Sequence, residues 1–286
     1  MAVIVIVGGT RGLGLELAKK YASQGGHKVY ATARSPTNSL PTGISAIPHV
    51  DVATPTAGKT IADALAAEGV ASIDILIISA GFFGKESFEE PDWDAEVRMY
   101  TTSAIGPVFI VSQLAKANQL REGTKIILVS SESGSIGLRH ESEGGGNFAH
   151  HASKSASNMV GKLLSLDLKD KGVAVGIVHP GFMRTEMTKS VGFDKYWDDG
   201  GGMFSSAFSN SQLVEPGRSL RCPVANDHTA VTPEVAAGSL IDFIETFDIS
   251  KTGQYWAPRG PRDIGTVEHA LGKKREELPT PLQLPW

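Results

Sequence analysis

Residues 3–7, VIVIV, lead without a break into GGTRGLGLELA. Five consecutive β-branched residues suit a buried strand, and the segment after them carries a helical stripe of Leu13, Leu17 and Tyr21. Between the two stand Gly8, Gly12 and Gly14. At a strand-to-helix junction these glycines divide the work. Gly8 makes the tight turn, Gly12 lets backbone approach a pyrophosphate, and Gly14 lets the helix pack close to the strand. The helix start then aims its N–H groups and dipole at the anion. The spacing alone says little, but in this position it points to a dinucleotide site.

The rest of the chain keeps the same alternation. Strands are expected at 28–33, 46–50, 73–78, 125–130, 173–178 and 253–256, the last in the chain. Helices are expected at 12–24, 60–68, 93–119 with a break at Gly106-Pro107, 152–170 and 239–247. The run IDILII at 73–78 has the continuous apolarity of a strand covered on both faces. This is the pattern of an α/β chain: a single-domain Rossmann-type doubly wound parallel sheet with helices on both faces. In the helix at 152–170, Met159, Val160, Leu163 and Leu166 are expected to face inward. The domain is expected to span 1–257, with an aromatic and glycine-rich insert at about 189–231 forming a lid over the substrate. Residues 258–286 read as a proline-rich C-terminal tail whose LPTPLQLPW straps onto the core or onto another subunit.

Composition narrows the function. A formal net charge of −4 gives no basic field for nucleic acid or an anionic membrane surface. A single cysteine, Cys222, permits no intrachain disulfide and disfavours a thiolate metal site. No stretch approaches the roughly 20 apolar residues of a membrane helix, and the MAVIVIVGG run is too short for a signal peptide. The expectation is a cytoplasmic protein acting on a small molecule.

The second strand indicates which dinucleotide. An acid for the ribose hydroxyls is expected roughly 20 residues past the loop, yet Arg34 stands there, and Arg11 lies within the loop. Two guanidiniums suit a 2′-phosphate, which favours NADP(H).

These residues, with SAG at 79–81, IGP at 105–107, ILVSSESGSIG at 127–137, ASK at 152–154 and HPGFMRTEM at 179–187, carry a resemblance. The chain resembles the short-chain dehydrogenase/reductase family, and within it the subgroup of C-signal and the carbonyl reductase sniffer. The resemblance covers 1–187 and resumes at 232–257. It implies a cofactor cradle of Gly8, Thr10, Arg11, Gly12, Leu13, Gly14, Arg34, Asp51, Val52, Ser79, Ala80, Gly81, Lys154, Pro180, Gly181, Met183 and Thr185. It places the family's catalytic serine on Ser131 and its lysine on Lys154. It also implies a homodimer or tetramer paired through the helices from Gly106 and Ala152. Phe182, Phe83, Tyr196 and Trp197 are the expected substrate residues.

The departures lie at the chemistry. The family's tyrosine, four residues before the lysine, is His150; its catalytic asparagine is Ser103; the asparagine of its N-A-G motif is Ser79; its glycine-loop threonine is Val7. No metal is expected at His150 and His151, because adjacent helical side chains point about 100° apart. His151 is expected to be a solvated residue at the helix start. His150 shares a helical stripe with Lys154 and is expected in the pocket as acid/base. Beside a lysine ammonium its imidazole should be neutral, able to polarise a carbonyl or remove a proton. Three readings follow: an NADPH-dependent reductase of carbonyls or enones, a redox-neutral isomerase, dehydratase or cyclase that retains NADP, and a non-catalytic NADP-binding sensor or partner protein.

Overall fold

The computed structural model describes residues 1–37, 40–198 and 230–286. Among the described residues, eight strands form one sheet in the order β3-β2-β1-β4-β5-β6-β7-β8. They are β1 Ala2–Val7, β2 His27–Thr32, β3 Ile44–Ile47, β4 Ile73–Ile78, β5 Leu120–Val129, β6 Ala174–Val178, β7 Gln254–Ala257 and β8 Leu282–Gln283. The pairings from β3 through to β7 are parallel, and β8 joins β7 antiparallel.

The sheet is dry on both faces because its central strands are apolar at nearly every position. In β1, Ile4 and Ile6 pack with α1 (Gly12–Gln24) and α7 (Pro233–Thr246). Val5 and Val7, on the opposite face, pack with α2 (Ala57–Ala67) and α4 (Gly106–Lys116). Alternate residues thus serve two cores, as the period of a strand requires. The strand order reverses at β1 and β4, which opens a crevice at the carboxyl ends of the strands.

Three local expectations are corrected. The helical region at 93–119 does not break at Gly106-Pro107. It runs as α3 (Trp93–Tyr100), a π-helical turn over Thr101–Ile105, and α4, which begins at Gly106-Pro107 directly after that turn. The strand at 253–256 is not the last. LPTPLQLPW contributes β8, and Leu284 N–H donates to the Tyr255 carbonyl at 2.8 Å. Trp286 stacks on Tyr255 with ring centroids 5.9 Å apart, so this segment straps onto its own core.

The third correction concerns α5 (Phe148–Leu168). Met159, Leu163 and Leu166 do not face inward: they are 59, 52 and 58% exposed. The helix buries Ser153, Ser157, Gly161 and Ser165 instead. The reason is proximity. A Cβ on Gly161 would lie 2.4 Å from Ile177 Cγ1, so at the closest approach of this helix to the sheet only glycine fits.

Candidate active site

The carboxyl ends of β1, β2, β4, β5 and β6 open into one cleft of about 450 Å3. The glycine loop forms its floor. Gly8 has φ +86°, and a Cβ there would lie 2.7 Å from Ala80 Cα. A Cβ on Gly14 would lie 2.2 Å from the Gly8 carbonyl oxygen. The loop therefore closes onto β4 and onto itself in a way that no other residue allows. Gly8 N–H donates to Thr32 Oγ1 at 2.9 Å, a contact that ties the loop to β2. The first turn of α1 has no side-chain cap and no acid. Its N–H groups are left for an anionic ligand.

Thr10, Arg11, Gly12, Leu13, Arg34, Asp51, Val52, Ser79, Gly81, Pro180, Gly181, Met183 and Thr185 line the same cleft. Arg11 and Arg34 are exposed on its rim. Both Asp51 carboxylate oxygens accept from Arg98 Nη2, at 3.1 and 3.0 Å. Arg98 also lines the cleft, a residue that sequence reading missed. It stands 47 residues from its partner, and no local pattern marks the pair. Thr185 caps α6 (Glu186–Ser190) reciprocally with Thr188.

Ser131, His150 and Lys154 converge at the inner wall. Lys154 is 9% exposed, and its Nζ donates to the Val129 carbonyl at 3.0 Å. Burial pulls its ammonium from 10.5 down to about 8. His150 is held well below the ordinary histidine range, first by burial, then by the charges of Lys154, His151 and Arg139. Its imidazole is thus neutral at pH 7, with one N–H to donate and one nitrogen to accept. The ring stacks on Phe83 at 4.1 Å between centroids, with 21° between planes. Ser131 Oγ accepts from Ser133 N–H at 3.2 Å, which orients the hydroxyl. No tyrosine lines the cleft among the described residues. Tyr255 is fully buried and donates to the Ser131 carbonyl from behind.

Other sequence candidates lie elsewhere. Ser103 is buried in the π-helical turn, outside the cleft, next to a small void behind Lys154. Tyr196 is buried against Phe193 with centroids 6.2 Å apart; Phe193, not Tyr196, lines the cleft. Trp197 is also outside it, its carbonyl accepting from Arg184 Nη2 at 3.1 Å and from Ala230 N–H at 3.0 Å. Of the expected lid, 199–229 lies outside the described residues. Phe182 and Phe83 do line the pocket.

His151 is not a solvated helix end. Its Nδ1 meets the Asn147 carbonyl at 2.8 Å and its Nε2 faces Arg139 at 3.4 Å. A carbonyl can only accept, so Nδ1 carries the proton. Arg139 also bridges Glu132 at 2.7 Å and Glu143 at 3.2 Å. Glu132 lines the cleft beside Ser131, and burial pushes its carboxyl up to about 7. His179 lines it too, accepting Glu132 N–H at 2.9 Å. Sequence reading gave neither a role: Glu132 within SSESG reads as a surface-loop charge, and His179 enters only as the first residue of HPGFMRTEM. Among the described residues, no group of three or more His, Cys, Asp or Glu side chains is set to hold a metal ion. No described helix is long and apolar enough to cross a membrane.

A glycine-lined cleft at the switch point of a parallel sheet, with a buried lysine reaching in from α5, defines a Rossmann-type α/β protein. The short chain dehydrogenase model matches residues 2–195, and the chain belongs to that family. It is 26% identical over 255 residues to 1-hydroxy-2-glutathionyl-2-methyl-3-butene dehydrogenase of Rhodococcus sp. (strain AD45), covering 89% of this chain and 96% of that protein. It is 31% identical over 118 residues to C-signal of Myxococcus xanthus, covering 40% of this chain and 68% of C-signal. The fold matches the NADPH-bound carbonyl reductase from chicken fatty liver with a TM-score of 0.67 at 16% identity, over 90% of this chain and 97% of the other.

Proposed function

We propose that the protein is an NADP(H)-dependent short-chain reductase acting on a carbonyl or enone of a bulky apolar small molecule, with His150 in the role of acid/base. One observation carries this reading: a neutral imidazole and a buried lysine share the cleft wall with Ser131, and no described tyrosine competes for the place. The dinucleotide, when bound, supplies the hydride. Gly8, Gly12 and Gly14 and the start of α1 receive its pyrophosphate. Arg11 and Arg34 receive the 2′-phosphate, and no acidic side chain stands between residues 29 and 38 to repel it. Lys154 holds ribose hydroxyls.

His150 donates its N–H to the substrate oxygen and polarises the carbonyl. As negative charge develops on that oxygen, the N–H proton passes to it while the second ring nitrogen takes a proton from solvent, so the ring stays neutral throughout. In the reverse direction its free nitrogen accepts the alcohol proton, a role for which a depressed pKa leaves it ready at neutral pH. Ser131 adds a second donor to the developing charge. Phe82, Phe83, Phe182, Phe193, Met183 and Met187 make the outer wall apolar, which selects a substrate with a large hydrophobic body. The exposed stripes of α4 (Val108, Phe109) and α5 (Met159, Leu163, Leu166) form a homodimer contact.

The test follows reduced-cofactor absorbance with a panel of quinones, ketones and enones, comparing NADPH with NADH. Turnover with a preference for NADPH, lost by about a hundredfold or more in His150→Phe with NADPH still bound, is the expected outcome. His150→Phe at full rate would refute the assignment. The neutral imidazole also suits a redox-neutral proton abstraction; product formed without cofactor consumption would select that reading instead.

A further inference from the structure

We propose that Glu86 is a positioning residue for His150: its buried carboxylate, reaching across from the loop after β4, supplies the cap that α5 lacks at the turn carrying the imidazole. The inference rests on the reading that His150 touches the reacting group.

The start of α5 is poorly made by local sequence. Its cap residue, Asn147, follows three glycines, adopts a left-handed φ of 48°, and makes no side-chain hydrogen bond to the helix. The first N–H groups of a helix need acceptors from elsewhere. Ala149, immediately before His150, is buried, and its N–H donates to Glu86 Oε1 at 2.6 Å. Glu86 itself is 9% exposed. A carboxyl oxygen at this place supplies an acceptor that the first turn of the helix lacks, and the helix dipole favours negative charge there.

The carboxylate is held there against its surroundings. Among the described residues its second oxygen is buried without an N–H donor, and the carboxyl shares a hydrogen bond with the Glu96 side chain. Its pKa is raised: burial raises it most, the bond from Ala149 lowers it, and the hydrogen bond with Glu96 and the charges of Glu96 and Asp92 raise it again. A carboxyl group confined at such a site, bonded to one amide, fixes a position. The same loop fixes the ring, since Phe83 lies three residues earlier and stacks on the imidazole. One short segment therefore holds both the backbone and the side chain of residue 150. No helical pattern links positions 63 residues apart, so this contact exists only in the folded chain.

The experiment compares Glu86→Ala and Glu86→Gln with wild type and with His150→Phe. Readouts are NADPH turnover with the best-reduced ketone or quinone of the panel, NADPH dissociation constant, melting temperature, and the ring nitrogen resonances of His150. Glu86→Ala should lower kcat by about tenfold or more, as small misplacements of a catalytic group do, with the NADPH dissociation constant unchanged and the ring signals shifted. Glu86→Gln retains an acceptor oxygen and should restore most of kcat and the signal positions. Wild-type kcat in Glu86→Ala, or a Gln variant as impaired as the Ala variant, overturns the proposal. Should Glu86→Ala not fold, the Gln variant and hydrogen exchange at the Ala149 amide decide, with faster exchange in Gln than in wild type and an unshifted ring expected. A His150→Phe enzyme at full rate would sink the functional reading alone. The ring signals of the Glu86 variants would then still decide: unshifted signals in Glu86→Ala end the inference.

Discussion

Glu132→Gln is expected to reshape the pH dependence of stability, because Glu132 opposes the buried histidines around it. Its carboxyl is raised from 4.5 to about 7, by burial above all and by Glu143, while Arg139 pulls the other way. Between these values the folded state holds a proton that the unfolded chain has released. Stability from this group is therefore complete below pH 4.5 and lost as pH rises through about 7. His179, lowered from 6.5 to about 4 by burial, has the opposite sign: it adds stability as pH rises across its own window. In wild type the two slopes offset each other. Gln is shaped like the protonated acid, can still accept from Arg139, and does not titrate. At 1.36 kcal/mol per pH unit, the variant should gain about 2.5 kcal/mol on wild type between pH 5 and pH 8. With about 0.6 kcal/mol per kelvin of unfolding entropy for a chain of this length, that is about 4 °C in relative melting temperature. The assay is thermal unfolding of both proteins in matched buffers at pH 5, 6, 7 and 8. Melting temperatures that run parallel across that range would refute the reasoning, since a carboxyl with an ordinary pKa gives almost no difference above pH 5.

Two further outcomes are expected. Deleting residues 282–286 removes β8, buries two fewer leucines (Leu282 and Leu284), and strips Gly137 N–H and Ser135 Oγ of their carbonyl partners on Trp286 and Pro285. It should destabilise the protein by about 3 to 6 kcal/mol, read as a lowered urea midpoint; an unchanged midpoint would mean that the strap is only a surface contact. Leu163→Glu, on the exposed stripe of α5, should leave the melting temperature of the monomer fold near wild type while halving the mass seen in sedimentation. A wild-type protein that already sediments as a monomer would remove the dimer proposal.

The sequence carried its local logic plainly. VIVIV followed by spaced glycines needs no tertiary information to read, because a strand, a tight turn and a helix start are each decided within a few residues. The alternation of strands and helices foretold the sheet for the same reason. The position of His150 one turn before Lys154 is likewise a property of helix geometry alone.

What lay beyond it was decided by distance in space. An apolar stripe such as Met159, Leu163 and Leu166 has one appearance whether it meets its own sheet or another molecule, and only the 2.4 Å clearance at Gly161 shows that small residues face the sheet. The pairings of Arg98 with Asp51 and of Glu86 with Ala149 join segments 47 and 63 residues apart, with no periodicity to connect them. The neutral imidazole of His150 was legible from the lysine one turn on, but burial, its larger cause, and the shifts of Lys154 and Glu132 come from close packing that a sequence does not contain.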